Sequence, residues 1–237
     1  MDKTDQLRTH LRPTANRPLL GLTVLVVEDS RYACDAMRLL CLRSGARIRR
    51  ADCIASARRH LKVYRPSAVI VDLGLPDGSG AELIAELAAA IPRVDVILGT
   101  SGDSFGEEVA LAAGADGFLP KPIASVAAFQ QAILRVLPTD RHPPGPRAVC
   151  HDAVEPDPVA YRDDMAHAAD VLDETDGANV DYVVQFLSGV ARSAGDDALY
   201  AAATKLADKR RRSEPAQSEL ARMAALVQDR LAHRAAI

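Results

Sequence analysis

Apolar positions along this 237-residue chain follow two regimes. Over roughly the first 137 residues, short unbroken apolar runs alternate with segments of helical periodicity. The runs are Thr23-Val24-Leu25-Val26-Val27, Ala68-Val69-Ile70-Val71-Asp72, Val94-Asp95-Val96-Ile97-Leu98 and the shorter Gly117-Phe118-Leu119-Pro120. Four or five β-formers without polar alternation belong in a sheet covered on both faces. Between them, 30–44, 53–64, 78–90, 104–113 and 123–136 repeat apolar residues at helical spacing, and Gly45, Pro92 and Gly114 punctuate helix ends. This alternation predicts an α/β domain over 21–137: a doubly wound parallel sheet of (βα)5 type with helices on both faces.

The second regime begins past a stretch holding Pro138, Pro143, Pro144, Pro146, Pro156, Pro158 and Gly145. Residues 138–158 read as a semi-extended linker that packs no core. Four amphipathic stripes follow. They are Tyr161, Met165, Ala168, Ala169 and Leu172; Val180, Val183, Val184, Leu187 and Val190; Leu199, Ala202, Ala203 and Leu206; and Leu220, Met223, Ala224, Val227 and Leu231. Each keeps the 3.6-residue period. Gly177, Gly195 and Ser213-Glu214-Pro215 separate them, with Ser213 expected to cap the last helix. A smaller all-α, four-helix domain over 159–237 is the expectation. Residues 1–20 read as a polar tail or short leading helix.

Composition narrows the classes. Apolar residues make up 48% of the chain, aromatics only 4%, and tryptophan is absent, so the cores are built of Ala, Leu and Val. No apolar run is long enough to span a membrane, and no signal-peptide pattern occurs, so a cytoplasmic location is expected. Cys34, Cys41, Cys53 and Cys150 show no metal-binding spacing and read as ordinary thiols, with Cys150 in the linker open to redox chemistry. Residues 139–237 hold 12 Lys and Arg against 17 Asp and Glu, a balance of −5 that argues against nucleic acid as a partner. The one basic run, Lys209-Arg210-Arg211-Arg212, reads as a solvated helix end, with a partner-docking patch as the lesser reading. His142, His151, His167 and His233 read as surface residues.

The chemistry gathers at strand ends. Asp72 closes one buried run, and Glu28-Asp29 close another. Three carboxylates in one crevice repel each other and need a cation to remain ionised; oxygen-only ligands suit Mg²⁺. Thr100 and Ser101 add hydroxyls after the third run, and Lys121 adds an ammonium after the fourth. A carboxylate nucleophile, a divalent cation, a hydroxyl and a lysine are what phosphoryl capture requires.

Glu28-Asp29, Asp72 with Leu75-Pro76-Asp77-Gly78 behind it, Thr100, Phe118 and Lys121-Pro122 together resemble the receiver domain of two-component response regulators, over about 21–137. The resemblance implies a flavodoxin-like fold. It makes Asp72 the phosphoacceptor and assigns Mg²⁺ to Asp29, Asp72, Glu28 through water, and the backbone carbonyl of Gly74. Thr100 and Lys121 would hold the phosphoryl oxygens, and Phe118 would be the switch aromatic. The Lys121–Pro122 bond would be cis. The distance from Thr100 to Lys121 is one residue shorter than the family pattern, so Ser101 is the alternative hydroxyl. Phosphorylation would rearrange the face near 104–136.

Ala198 to Leu206 more weakly resembles the central helix of histidine phosphotransfer domains. Thr204 stands where the histidine belongs, with Ala207 and Asp208 for the following lysine and glycine, which implies a degenerate bundle. The whole then reads as a response regulator, not itself an enzyme, with a protein-interaction output. It would be phosphorylated by a sensor histidine kinase or phosphotransfer protein, and would act on a downstream partner or form a homodimer. Two alternatives remain: a phosphatase or phosphotransferase using Asn179 or Gln185 on a partner's acyl phosphate, and a scaffold indifferent to phosphorylation.

Overall fold

A computed structural model describes residues 12–145, 152–174 and 180–232. Residues 1–11, Cys150, His151, Gly177, Asn179 and His233 lie outside the described residues. Five strands form one parallel sheet: β1 (Thr23–Val27), β2 (Arg47–Ala51), β3 (Ala68–Asp72), β4 (Val96–Ser101) and β5 (Gly117–Pro120), in the spatial order β2-β1-β3-β4-β5. The helices between and after them are α1 (Arg31–Ser44), α2 (Ile54–Val63), α3 (Gly80–Ala89), α4 (Gly106–Ala112) and α5 (Val126–Val136).

Strand alternation sorts the core into two layers. Val24, Val26, Ile70 and Leu98 face α1 and α5, meeting Met37, Leu40, Phe129 and Ile133. Leu25, Val27, Val69, Val71 and Ile97 face the other way, onto Ile54, Leu83, Ile84 and Ala110. Strand order reverses between β1 and β3, so the carboxyl ends of those two strands flank the crevice of a doubly wound sheet. Glu28, Asp29 and Asp72 sit there.

Three expectations needed correction within this domain. The strand expected over 94–98 begins at Val96 and runs on to Ser101, because Gly99, Thr100 and Ser101 continue the ladder with β3 and β5. Strand β2 carries three arginines and was not foreseen; it lies at the sheet edge, where those side chains stay largely in water. The boundary at residue 20 also falls too late. Leu19 is fully buried in the core, and its N–H donates to Ser44 O.

The linker is not coreless either. Val154 is buried among Met37, Phe129 and Ile133, and its N–H donates to Ala124 O while Asp152 O accepts from Val126 N. Buried Val154, these two backbone bonds and the Arg43–Asp152 ion pair together hold 152–154 against the sheet domain.

Four helices follow: α6 (Pro158–Glu174), α7 (Val180–Ala194), α8 (Asp197–Arg211) and α9 (Gln217–Ala232). Each packs on the next, and α9 packs back on α6, around Met165, Val183, Leu187, Leu199, Leu206, Met223 and Val227. Ser213 does not cap α9. It takes a left-handed φ of 56° and donates its N–H to Arg210 O, ending α8, and α9 begins only at Gln217.

Candidate functional site

The crevice is assembled from strand ends. Lys121 reaches back from the end of β5 and donates to Asp72 Oδ2 at 2.7 Å, with Glu28 Oε2 also 2.7 Å away. The second contact is an ion pair without hydrogen-bond alignment, so Glu28 Oε2 is a buried oxygen with no aligned donor. Glu28, Asp29 and Asp72 each present an oxygen within 4.8 Å of the others. Such an all-oxygen set, with one oxygen left over, fits a hard divalent cation.

Electrostatics agree with that geometry. Burial, then the nearby Asp72 charge, push the Glu28 carboxyl well above the usual range. Burial raises Asp29 to about 6, against a hydrogen bond from Tyr182 that acts the other way. Burial alone would lower Lys121, but the Asp72 and Glu28 carboxylates reverse the sign and hold it protonated.

The remaining expected residues separate. Thr100 pairs in register with Asp72, and its buried hydroxyl donates to Leu119 O at 2.7 Å. Ser101 lines the cavity above Asp72, and its Oγ accepts from Asp103 N. Phe118 packs where Gly99 and Gly106 leave room: Cβ atoms added there would lie 3.4 Å and 3.0 Å from its ring. Asp77 takes no part in the cluster; its carboxylate caps α2 by accepting from Ile54 and Ala55 N–H, both at 2.8 Å. The Lys121–Pro122 peptide is cis.

The helical domain lies across this crevice. On α7, Tyr182 donates to Asp29 Oδ2 at 2.7 Å. Three residues on, Gln185 rests on Gly74: a Cβ at residue 74 would come within 2.4 Å of its Nε2, so a side chain there would push the carboxamide aside. Another turn on, a Cβ built on Gly189 would stand 3.9 Å from Lys121 Nζ. Arg192 donates to Gly102 O. From α6, buried Asp164 accepts from Ser30 Oγ and Arg31 N, both at 2.7 Å, and from Tyr32 N at 3.1 Å, so it caps α1 beside the acid pair. Contact therefore runs mainly through α1 and the Gly74 turn.

Between the two domains lies a cavity of about 640 Å³, lined by Asp29, Asp72, Lys121, Ser101, Gln185 and Thr204 among others. Sequence reasoning missed Tyr182 and Asp164. Tyr182 and Phe186 stand off the stripe of α7, and a second apolar face on one helix was the available signal of a second contact. Asp164 gave none, since nothing in its neighbours marks it as a cap for a distant helix.

Residues 24–133 match the family model for the response regulator receiver domain. This segment is a response regulator receiver domain. Among curated relatives, Response regulator MprA of Mycobacterium sp. (strain KMS) is 32% identical over 130 residues, covering 54% of this chain and 56% of that protein. Transcriptional regulatory protein PhoP of Escherichia coli O157:H7 is 32% identical over 117 residues, 48% and 52% of the two chains. The chain spans about half the length of the curated relatives it matches. A solved receiver domain of a Pseudomonas aeruginosa PAO1 sensor histidine kinase is 25% identical, covering 49% of this chain and 97% of that one, with a TM-score of 0.45. Beyond the receiver, the helical domain supplies Tyr182, Gln185 and Asp164 to the same crevice.

Proposed function

We propose that the chain is a response regulator in which Asp72 accepts a phosphoryl group and the helical domain is the output. The observation that carries this is Lys121 bonded to Asp72 at the carboxyl end of β3, beside Glu28 and Asp29. Mg²⁺ would be held by Asp29, Asp72 and the Gly74 carbonyl, with Glu28 acting through water. When bound, it would neutralise phosphoryl oxygens as charge develops. Asp72 attacks phosphorus, the Oδ–P bond forms, and the donor's bond to phosphorus breaks. Lys121 exchanges part of its pairing with Asp72 for a phosphoryl oxygen.

The phosphoryl group brings a charge of about −1.5 to −2. In this reading Thr100 leaves Leu119 O to meet it, and Phe118 follows into the space beside Gly99. Metal at Asp29 competes with the Tyr182 hydroxyl, so loading the crevice weakens the grip of α7. The freed bundle then offers α7 to a protein partner or a second copy. A sensor histidine kinase or phosphotransfer protein fits as donor, since the acceptor carboxylate and lysine are in place. Among the described residues no helix is long and apolar enough to cross a membrane, which is consistent with a cytoplasmic role.

Thr204 supports the degenerate-phosphotransfer reading. It lines the cavity over Asp72, yet its hydroxyl is bonded to Tyr200 O and it has no imidazole to carry a phosphoryl group. The acidic balance of 139–237 speaks against a nucleic-acid output. The test is incubation with a small acyl-phosphate donor and Mg²⁺, followed by intact mass measurement. The wild type should gain one phosphoryl group and Asp72→Asn none; equal labelling of both would remove Asp72 from the role.

A further inference from the structure

We propose that Gln185 makes the chain a phosphatase of its own acyl phosphate, which deepens the proposed function and rests on Asp72 being phosphorylated. Helix α7 lays three positions over the crevice, Tyr182 on Asp29, Gln185 on Gly74 and Gly189 beside Lys121. Of these, Tyr182 spends its hydroxyl proton on Asp29 and Gly189 has no side chain, so Gln185 alone brings an uncommitted polar group, a carboxamide whose oxygen accepts and whose NH₂ donates. Its carboxamide makes no hydrogen bond among the described residues and opens into the cavity that Asp72 also lines. Gly74 N lies 3.4 Å from Asp72 Oδ1, so the carboxamide against Gly74 and the acceptor border the same turn and line the same cavity.

The cavity, about 640 Å³, has room for a phosphoryl group and a water in line behind it. Hydrolysis of an aspartyl phosphate needs that water fixed opposite the Asp72 oxygen, with a lone pair aimed at phosphorus. A carboxamide does this without titrating: its oxygen accepts one water hydrogen and its NH₂ group donates to a neighbouring oxygen. Water oxygen bonds to phosphorus, the Oδ–P bond breaks, and the electron pair returns to the Asp72 carboxylate. Inorganic phosphate leaves, and the water's surplus proton goes to phosphate or solvent. Lys121 stays paired with the carboxylate that reappears.

Two features hold the helix that carries the carboxamide. Arg210 of α8 donates to Asp181 Oδ2 at 2.9 Å, holding the first turn of α7, and Tyr182 anchors the next residue to Asp29. Phosphorylation loosens α7, and each return of the helix brings Gln185 back over the phosphoryl group. The bundle thereby limits the lifetime of the signal that releases it.

The experiment uses the full chain, labelled with a small acyl-phosphate donor and Mg²⁺, then freed of donor and followed by intact mass. Gln185→Met keeps the length and loses the hydrogen bonds; Gln185→Asn keeps the carboxamide. The phosphorylated half-life should lengthen roughly tenfold or more in Gln185→Met, with part of the wild-type rate regained in Gln185→Asn. Hydrogen exchange of α6 and α7 checks that docking is unchanged. A wild type that never accumulates label while Gln185→Met does would also support the proposal. Equal decay in wild type and Gln185→Met, with docking intact, would overturn it and leave Asp72 as acceptor. No label on any of the three proteins would overturn the underlying reading along with it.

Discussion

Tyr182 and Asp29 are 153 positions apart in the chain, yet the tyrosine hydroxyl donates to the carboxylate at 2.7 Å. The bond joins the helical domain to an oxygen that the receiver reading assigns to Mg²⁺. In that reading the helical domain and the metal draw on the same carboxylate.

Tyr182→Phe removes the competitor and leaves the ring. Mg²⁺ affinity of the full chain should rise about tenfold, the scale of one hydrogen bond to a charged group. Isothermal titration of wild type and variant checks this; identical isotherms would mean Tyr182 does not compete with the metal.

Asp164→Ala should act on both domains at once. It strips the first turn of α1 of its capping carboxylate and leaves Ser30 Oγ without that acceptor. Loss of a cap costs about 1–2 kcal/mol, and denaturant unfolding should show it. Hydrogen exchange should quicken in 31–36 and in α6 together. Faster exchange in only one of the two would mean the cap does not couple them.

Acid should loosen the bundle through Asp196. This carboxylate accepts from Arg230, Tyr161 and Leu199 N–H, and the Arg230 hydrogen bond first of all lowers its pKa from 3.8 to about 2. A folded value below the unfolded one contributes stability that is complete above about pH 4 and lost as pH falls toward 2. Asp196→Asn should flatten the fall in helical-domain stability between pH 4 and 2, followed by circular dichroism. An unchanged slope would count against the pairing.

No phosphohistidine should form on the full chain under any donor. Thr204 stands in the relay position, with its hydroxyl turned to Tyr200 O. Acid-labile, base-stable phosphate on the labelled protein would contradict this.

The parallel sheet and the acceptor cluster were legible because each rests on local signals. Val24 to Val27 and Ala68 to Val71 are unbroken apolar runs, and a carboxylate follows each at a strand end. Arg47-Ile48-Arg49-Arg50-Ala51 hid its strand because an edge position buries little, so the apolar run that marks a strand was missing. Val154 is a near-isolated apolar residue in a proline-bearing stretch, and Leu19 follows Pro18 ahead of the first strand, so no periodicity marks either as part of the core. Docking was invisible for a related reason. Asp164 and Gln185 are side chains ordinary for a solvated helix face, and only the second apolar face of α7, with Tyr182 and Phe186, hinted at a further contact.

The Asp164 cap on α1 also sets a threshold. A cleft closed by a tethered domain has an occupant that dilution never removes, at a local concentration on the order of millimolar for a short connection. In the proposed function, a phosphodonor protein at micromolar abundance would face that occupant in every encounter, however few copies of the chain are present. Even a weak intramolecular grip then decides how much donor is needed. Response sensitivity becomes a property encoded within one polypeptide, adjustable by single substitutions at the cap, with no change in donor or acceptor chemistry.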